Sequence, residues 1–123
     1  MAIVDYAHIY SDTNWHVLGD SGEPTLQNSW VNYDTATYPP ARFRKFNDIV
    51  YLEGLIKNGT ATSGTVIFTL PVGYRTAFQQ HFVVASGGVE GTLRVHPNGE
   101  LQISGGISSS WADLGQVFYQ AAQ

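Results

Sequence analysis

Ile49-Val-Tyr-Leu-Glu-Gly-Leu-Ile-Lys57 and, after a short polar segment, Gly64-Thr-Val-Ile-Phe-Thr-Leu-Pro-Val-Gly-Tyr-Arg75 decide the fold. In the first run Val50, Leu52, Gly54 and Ile56 fall on one face, with Ile49, Tyr51, Glu53, Leu55 and Lys57 opposite. That period of two belongs to a strand and not to a helix. In the second run the same alternation points Val66, Phe68 and Leu70 inward. Pro71 then removes a ladder donor and Gly73 permits positive φ, so the chain turns a corner. Tyr74 and Arg75 are predicted to project beyond the sheet edge.

Outward from this pair, strands are predicted at Arg42–Phe46, Phe78–Val84, Thr92–His96, Glu100–Ser104 and Gln116–Tyr119. Phe78, Gln80, Phe82 and Val84 should share one face. Asn47-Asp48, Asn58-Gly59, Gly87-Gly88, Asn98-Gly99 and Gly105-Gly106 punctuate the strands. Asn98-Gly99 is the strongest hairpin signal, read as a type I′ turn with positive φ at both residues. Asn58-Gly59-Thr60 also matches a glycosylation sequon, but a hairpin turn explains it more simply. Ser110-Trp-Ala-Asp113 has the form of a capping box; Gly115 and the β-prone Val-Phe-Tyr run favour a short turn and then a final strand. Many short strands with frequent turns specify an all-β, antiparallel β-sandwich, jelly-roll-like, over residues 15–123. Residues 1–14 alternate like a strand ahead of the first regular unit and are expected to form an N-terminal arm.

Composition narrows the function classes. The chain has 123 residues and no cysteine, which excludes a disulfide framework, Cys-ligated zinc and thiol catalysis. One domain of this length can bury a core without such staples. Only 13% of residues are charged while 13% are aromatic, the reverse of a disordered composition. The net charge is −4, and residues 1–41 contain Asp5, Asp12, Asp20, Glu23 and Asp34 but no Lys or Arg. Nucleic acid is therefore not an expected partner. No apolar run is long enough to insert in a membrane. Sequence motifs for hydrolases, nucleotide binding or metalloproteases are missing, and no catalytic residue is assigned. His8, His16, His81 and His96 lack ligand spacing, so no metal or other cofactor is expected, though His81 and His96 could meet Glu90 across strands.

The order Trp30-Val-Asn-Tyr33, Ala41-Arg-Phe-Arg-Lys45, "VYLEGLI … GTVIFTLPVGYR" and Val95-His-Pro-Asn-Gly-Glu-Leu101 resembles a β-sandwich domain of tailed-bacteriophage virion proteins. Such domains form tail-fibre or receptor-binding tips. The resemblance covers roughly residues 15–119, and its most specific piece is the Leu-Pro-x-Gly-Tyr-Arg corner. Thr76 stands where the family often has proline. The resemblance implies a homotrimer on the virion surface, made in the host cytoplasm, contacting other virion proteins and binding host-surface carbohydrate.

The aromatic residues supply candidate sites. A sugar is held by an aromatic platform under its apolar face and by polar groups at its hydroxyls. Trp30, Tyr33 with Asp34, Tyr74 with Arg75, and Trp111 with the nearby Asp113 have that composition; Trp15 and Tyr38 belong to the same aromatic set. Trp30 and Trp111 equally suit a core or a subunit interface. In the arm, Ile3, Tyr6, Ile9 and Tyr10 are the candidates for attachment to the particle. The expected function is non-enzymatic adhesion by a receptor-binding tip. Two rivals stay open: a capsid decoration protein gripping the shell through its arm, and a cellular carbohydrate-binding module.

Overall fold

A computed structural model describes residues 12–122. They form two antiparallel sheets packed as a β-sandwich. One sheet contains β1 (Asp12–Val17), β3 (Arg42–Phe46), β4 (Ile49–Glu53) and β11 (Phe118–Gln120), in the order β1-β3-β4-β11. The other contains β2 (Val31–Asn32), β5 (Leu55–Lys57), β6 (Val66–Thr69), β7 (Gln80–Ser86), β8 (Val89–Val95), β9 (Glu100–Gly105) and β10 (Ala112–Asp113). Their order is β2-β5-β10-β7-β8-β9-β6. Phe43, Val50 and Leu52 from the smaller sheet meet Ile56, Phe68, Leu93 and Ile103 from the larger in one buried core. Each such side chain contributes about 1.5–3 kcal/mol of hydrophobic stabilisation. Among the described residues no helix is long and apolar enough to cross a membrane.

The expected strand Ile49–Lys57 is two strands in different sheets. Val50, Leu52, Gly54 and Ile56 are all buried, as the alternation requires, but the chain crosses from one sheet to the other at Gly54. Gly54 has φ 130°, and a Cβ there would lie 2.6 Å from the Cα of Ala41 and 2.8 Å from the carbonyl oxygen of Pro40. Only glycine fits so close to a neighbouring backbone. A second crossover runs beside it, from β10 through the 3-10 turn Leu114–Gln116 to β11. The Leu114 N–H donates to the Gly54 carbonyl (2.9 Å) and the Leu52 N–H donates to the Val117 carbonyl (3.1 Å). The two crossovers thus satisfy each other's backbone where neither lies in a regular ladder. Asp113 caps the 3-10 turn by accepting from the Gly115 N–H (2.8 Å), and the short turn and final strand are as expected from Gly115 and the Val-Phe-Tyr run.

Several local expectations are corrected. Type I′ geometry occurs at Asn47-Asp48 (φ 50° and 66°) and Gly87-Gly88 (φ 60° and 89°), not at Asn98-Gly99. There the Gly99 N–H donates to the His96 carbonyl and only Gly99 has positive φ (94°). Pro97 pre-sets the turn, and Gly99 takes the bulge position that follows it. An irregular register between Val66 and Phe68 places Ile67 and Phe68 both in the core and leaves Val66 half-buried. Phe78 precedes β7 and is 76% exposed, so it does not share the inward face of Val84. The arm expected over 1–14 lies outside the described residues up to Asp12, together with Ile3, Tyr6, Ile9 and Tyr10. From Asp12 onward the chain is already paired with β3.

The Leu-Pro-x-Gly-Tyr-Arg corner folds back instead of projecting. The Tyr74 ring lies edge-on to Phe43 (5.0 Å between centroids), and its hydroxyl is 3.1 Å from His16 Nε2. Arg75 Nε donates to the Leu70 carbonyl (2.8 Å), closing the corner that Pro71 opens. The Tyr119 hydroxyl donates to the Tyr74 carbonyl (2.6 Å), which ties the corner to β11. Burial pushes the Tyr119 phenol well above its ordinary value.

Two predictions follow from this packing. Gly54→Ala combines a left-handed φ with a backbone clash and should lower stability by about 3 kcal/mol or more in urea titrations. A fully stable variant would show that the corner relaxes. The second concerns alkaline pH. The unfolded chain ionises Tyr119 near pH 10 while the folded chain keeps it neutral, so its contribution is complete below that pH and lost above it. Unfolding free energy should fall beyond pH 10 by about 1.4 kcal/mol per unit from this group. Tyr119→Phe should remove that component of the slope; an unchanged alkaline slope would contradict it.

Candidate functional site: an aromatic cleft at the sheet crossover

Three segments that are remote in sequence meet at the Gly54 crossover and enclose a cleft of about 500 Å³. Tyr33, Tyr38 and Pro39 form one wall, from the loop between β2 and β3. Glu53, Gly54 and Leu55 form the floor, and Trp111, Asp113 and Gly115 form the other wall. The volume lies within the roughly 300–1,000 Å³ usual for small-ligand sites.

The tyrosine wall is built by Asp34. Its carboxylate accepts from the Ala36 N–H (3.0 Å) and the Thr37 hydroxyl (3.1 Å), an Asx turn that reverses the chain at once. The Tyr38 N–H donates to the Asp34 carbonyl (2.9 Å), and Asn32 Oδ1 accepts from the Ala41 N–H (2.9 Å) at the loop's exit. This holds Tyr38 edge-on to Tyr33 at 5.7 Å between ring centroids. Lys57 Nζ lies 4.9 Å from the Tyr33 ring centroid, a cation–π contact on the wall. The tyrosines are therefore set by local chemistry while remaining exposed, at 37% for Tyr33 and 42% for Tyr38.

The opposite wall is fixed from beneath. Buried Ser86 donates to the Trp111 carbonyl (2.8 Å) and accepts from the Ser108 N–H (2.8 Å). Ala112 pairs with Ser86 on one side and Ile56 on the other. Glu53, on the floor, is engaged by Arg42, whose Nε donates to it at 2.8 Å. The Arg42 and Arg44 guanidinium groups both lie over Trp15, 4.4 and 4.6 Å from the ring centroid. The basic pair is thus spent on a neighbouring carboxylate and an indole.

Of the residues predicted from sequence, Tyr33 and Trp111 are brought together across this cleft. Asp34 shapes the wall but both of its carboxylate oxygens are occupied in the loop. Trp30 is 2% exposed, with its Nε1–H donating to the Thr60 carbonyl (3.1 Å) and its indole packed on Gly59, where a Cβ has no room. It belongs to the core and offers a ligand no surface. Tyr74 and Arg75 are engaged within their own corner, where Lys45, near the far end of β3 from Arg42, donates to the Gly73 carbonyl (2.8 Å). Tyr38, Glu53, Leu55 and Asp113 complete the site. The signals for them were present, in the Tyr-Pro-Pro exit of the loop and in the Gly54 break, but only the crossover reveals their meeting. Glu90 lies at the opposite end of β8 from His96, and His81 pairs with Arg94, so the histidines and Glu90 do not converge. Among the described residues no group of three or more His, Cys, Asp or Glu could hold a metal ion.

In fold, this chain is similar to a bacteriophage receptor-binding protein. The crystal structure of the receptor binding protein (gp15) of Listeria phage PSA matches it with a TM-score of 0.67. The match covers 94% of this chain and 69% of that chain, at 17% sequence identity. This bears out the resemblance read from the strand-and-corner motif. No protein-family model and no curated protein matches the sequence.

The geometry separates Trp30 from Tyr33 experimentally. Trp30→Ala should cost about 3–5 kcal/mol of stability in urea titrations. Tyr33→Ala, at the exposed wall, should cost about 1 kcal/mol or less. Equal losses for both would contradict the assignment of Trp30 to core and Tyr33 to site.

Proposed function

We propose that this protein is a non-enzymatic adhesion module of a tailed-phage virion that holds host-surface carbohydrate in the Tyr33/Tyr38/Trp111 cleft. The observation that carries the reading is the cleft itself: the exposed Tyr33 and Tyr38 and the half-buried Trp111 line one concavity, with carboxylates beside them. An aromatic face takes the apolar side of a sugar ring, and Asp113 and Glu53 accept from hydroxyls. The likeness in fold to a phage receptor-binding protein favours adhesion over capsid decoration. Nucleic acid and membrane insertion have no part in this reading, and no cofactor is required.

The protein acts as a homotrimer on the virion surface, with each weak site gaining avidity from the others. The outer face of the smaller sheet suits contact between copies. Phe46 and Phe118 are exposed there, and Tyr51 packs against Phe118 at 6.2 Å. Leu55 does not join that face, because the Gly54 crossover carries it to the other sheet and into the cleft. Ile3, Tyr6, Ile9 and Tyr10, in the segment ahead of β1, serve for attachment to other virion proteins.

Two measurements test this. Light scattering should give three times 13.5 kDa. Labelled protein should bind host cells, and Tyr33→Ala or Trp111→Ala should weaken that binding by about tenfold or more without unfolding the domain. Undiminished binding by both variants would sink the assignment of the cleft.

A further inference from the structure

Trp111 and Asp113 line a second, shallower concavity of about 890 Å³ on the side away from the tyrosine wall. Its floor is Val83, Ala85 and Val89, from the β7–β8 hairpin. The two valines are 62% and 65% exposed, large values for apolar side chains on a strand pair. Glu90 and Gln116 stand at its rim. The Gly87-Gly88 turn between β7 and β8 keeps the wall beside Val89 low, since neither residue carries a side chain.

We propose that the two concavities form one ligand track with Trp111 at its centre, and that the second takes a neutral, methyl-bearing sugar unit. This rests on the carbohydrate reading of the first cleft. Three features carry it. The clefts share Trp111 and Asp113, so a ligand leaving the first passes the indole into the second. The shared wall is rigid, because Ser86 holds the Trp111 carbonyl from the buried side. The chemistry of the two halves differs. The first has Lys57 over Tyr33 beside its carboxylates, whereas the residues lining the second include Glu90 and Asp113 but no base. A carboxylate-lined wall repels phosphate and uronate groups and accepts from hydroxyl or amide N–H donors. A floor of two exposed valines gains from an apolar substituent removed from water. The methyl group of a 6-deoxy sugar and that of an N-acetyl sugar present this same chemistry.

Calorimetric titration of the whole protein with two series distinguishes the sources. One series is N-acetylglucosamine and its β-1,4-linked oligomers of increasing length; the other is L-rhamnose and its α-linked oligomers. In at least one series Kd should fall about tenfold or more from the single sugar to the oligomer. Val83→Ser/Val89→Ser should abolish that gain, leaving the oligomer no tighter than the single sugar. Val72→Ser, an exposed valine at the Leu-Pro corner, should keep the gain. An affinity that does not rise with length, or a double variant that retains the full gain, overturns the track while leaving the first cleft standing. Absence of binding by every sugar in both series overturns the track and the carbohydrate reading together.

Discussion

The close approach of Gly54 to the Pro40–Ala41 backbone is the constraint on which the molecule turns. A side chain at that point would push the β2–β3 loop away from the crossover, and with it the tyrosine wall. The same residue lends its carbonyl to Leu114, so the second crossover depends on the first. Because both chain segments change sheets side by side, neither sheet closes over the corner and a concavity remains. The candidate site is the direct consequence of how the two sheets are joined.

This arrangement also explains the high aromatic content. The core is made largely of aliphatic residues, with Phe43, Phe68, Trp30 and Tyr119 the main buried aromatics. Several other aromatic residues lie on surfaces that do different things. Tyr33 and Tyr38 form a wall, Trp111 divides two concavities, Trp15 lies under two arginines, and Phe46 and Phe118 face outward on the smaller sheet.

Strand positions were legible in the sequence because alternation reports burial directly, and the inward faces of Ile49–Lys57 and the β8–β9 hairpin follow it. What alternation cannot report is a change of partner sheet: Val50 and Ile56 have the same parity yet belong to different sheets. Gly54 marks the place, but glycine in a strand reads equally as a bulge. Turn chemistry was legible where the dipeptide stood alone, as at Asn47-Asp48, and misread where Pro97 preceded it. Tyr33 and Trp111 were found by composition. Trp30 also has polar neighbours in sequence, Asn28 and Asn32, and is buried, because the Gly59 gap that receives its indole is a tertiary feature. Tyr74 and Arg75 were read as projecting beyond the sheet edge since the groups that capture them, His16, Phe43 and the Leu70 carbonyl, lie beyond local sequence or bond through the backbone.

The central claim is that carbohydrate is held at Trp111, on the wall of the Gly54 cleft. The chain contains three tryptophans, Trp15, Trp30 and Trp111, whose indole N–H signals report separately in a nitrogen–proton correlation spectrum. On titration with solubilised host-wall glycan, the Trp111 signal should move to saturation while that of Trp30, bonded to the Thr60 carbonyl, stays in place. Saturable binding with the Trp111 signal unmoved would contradict the account.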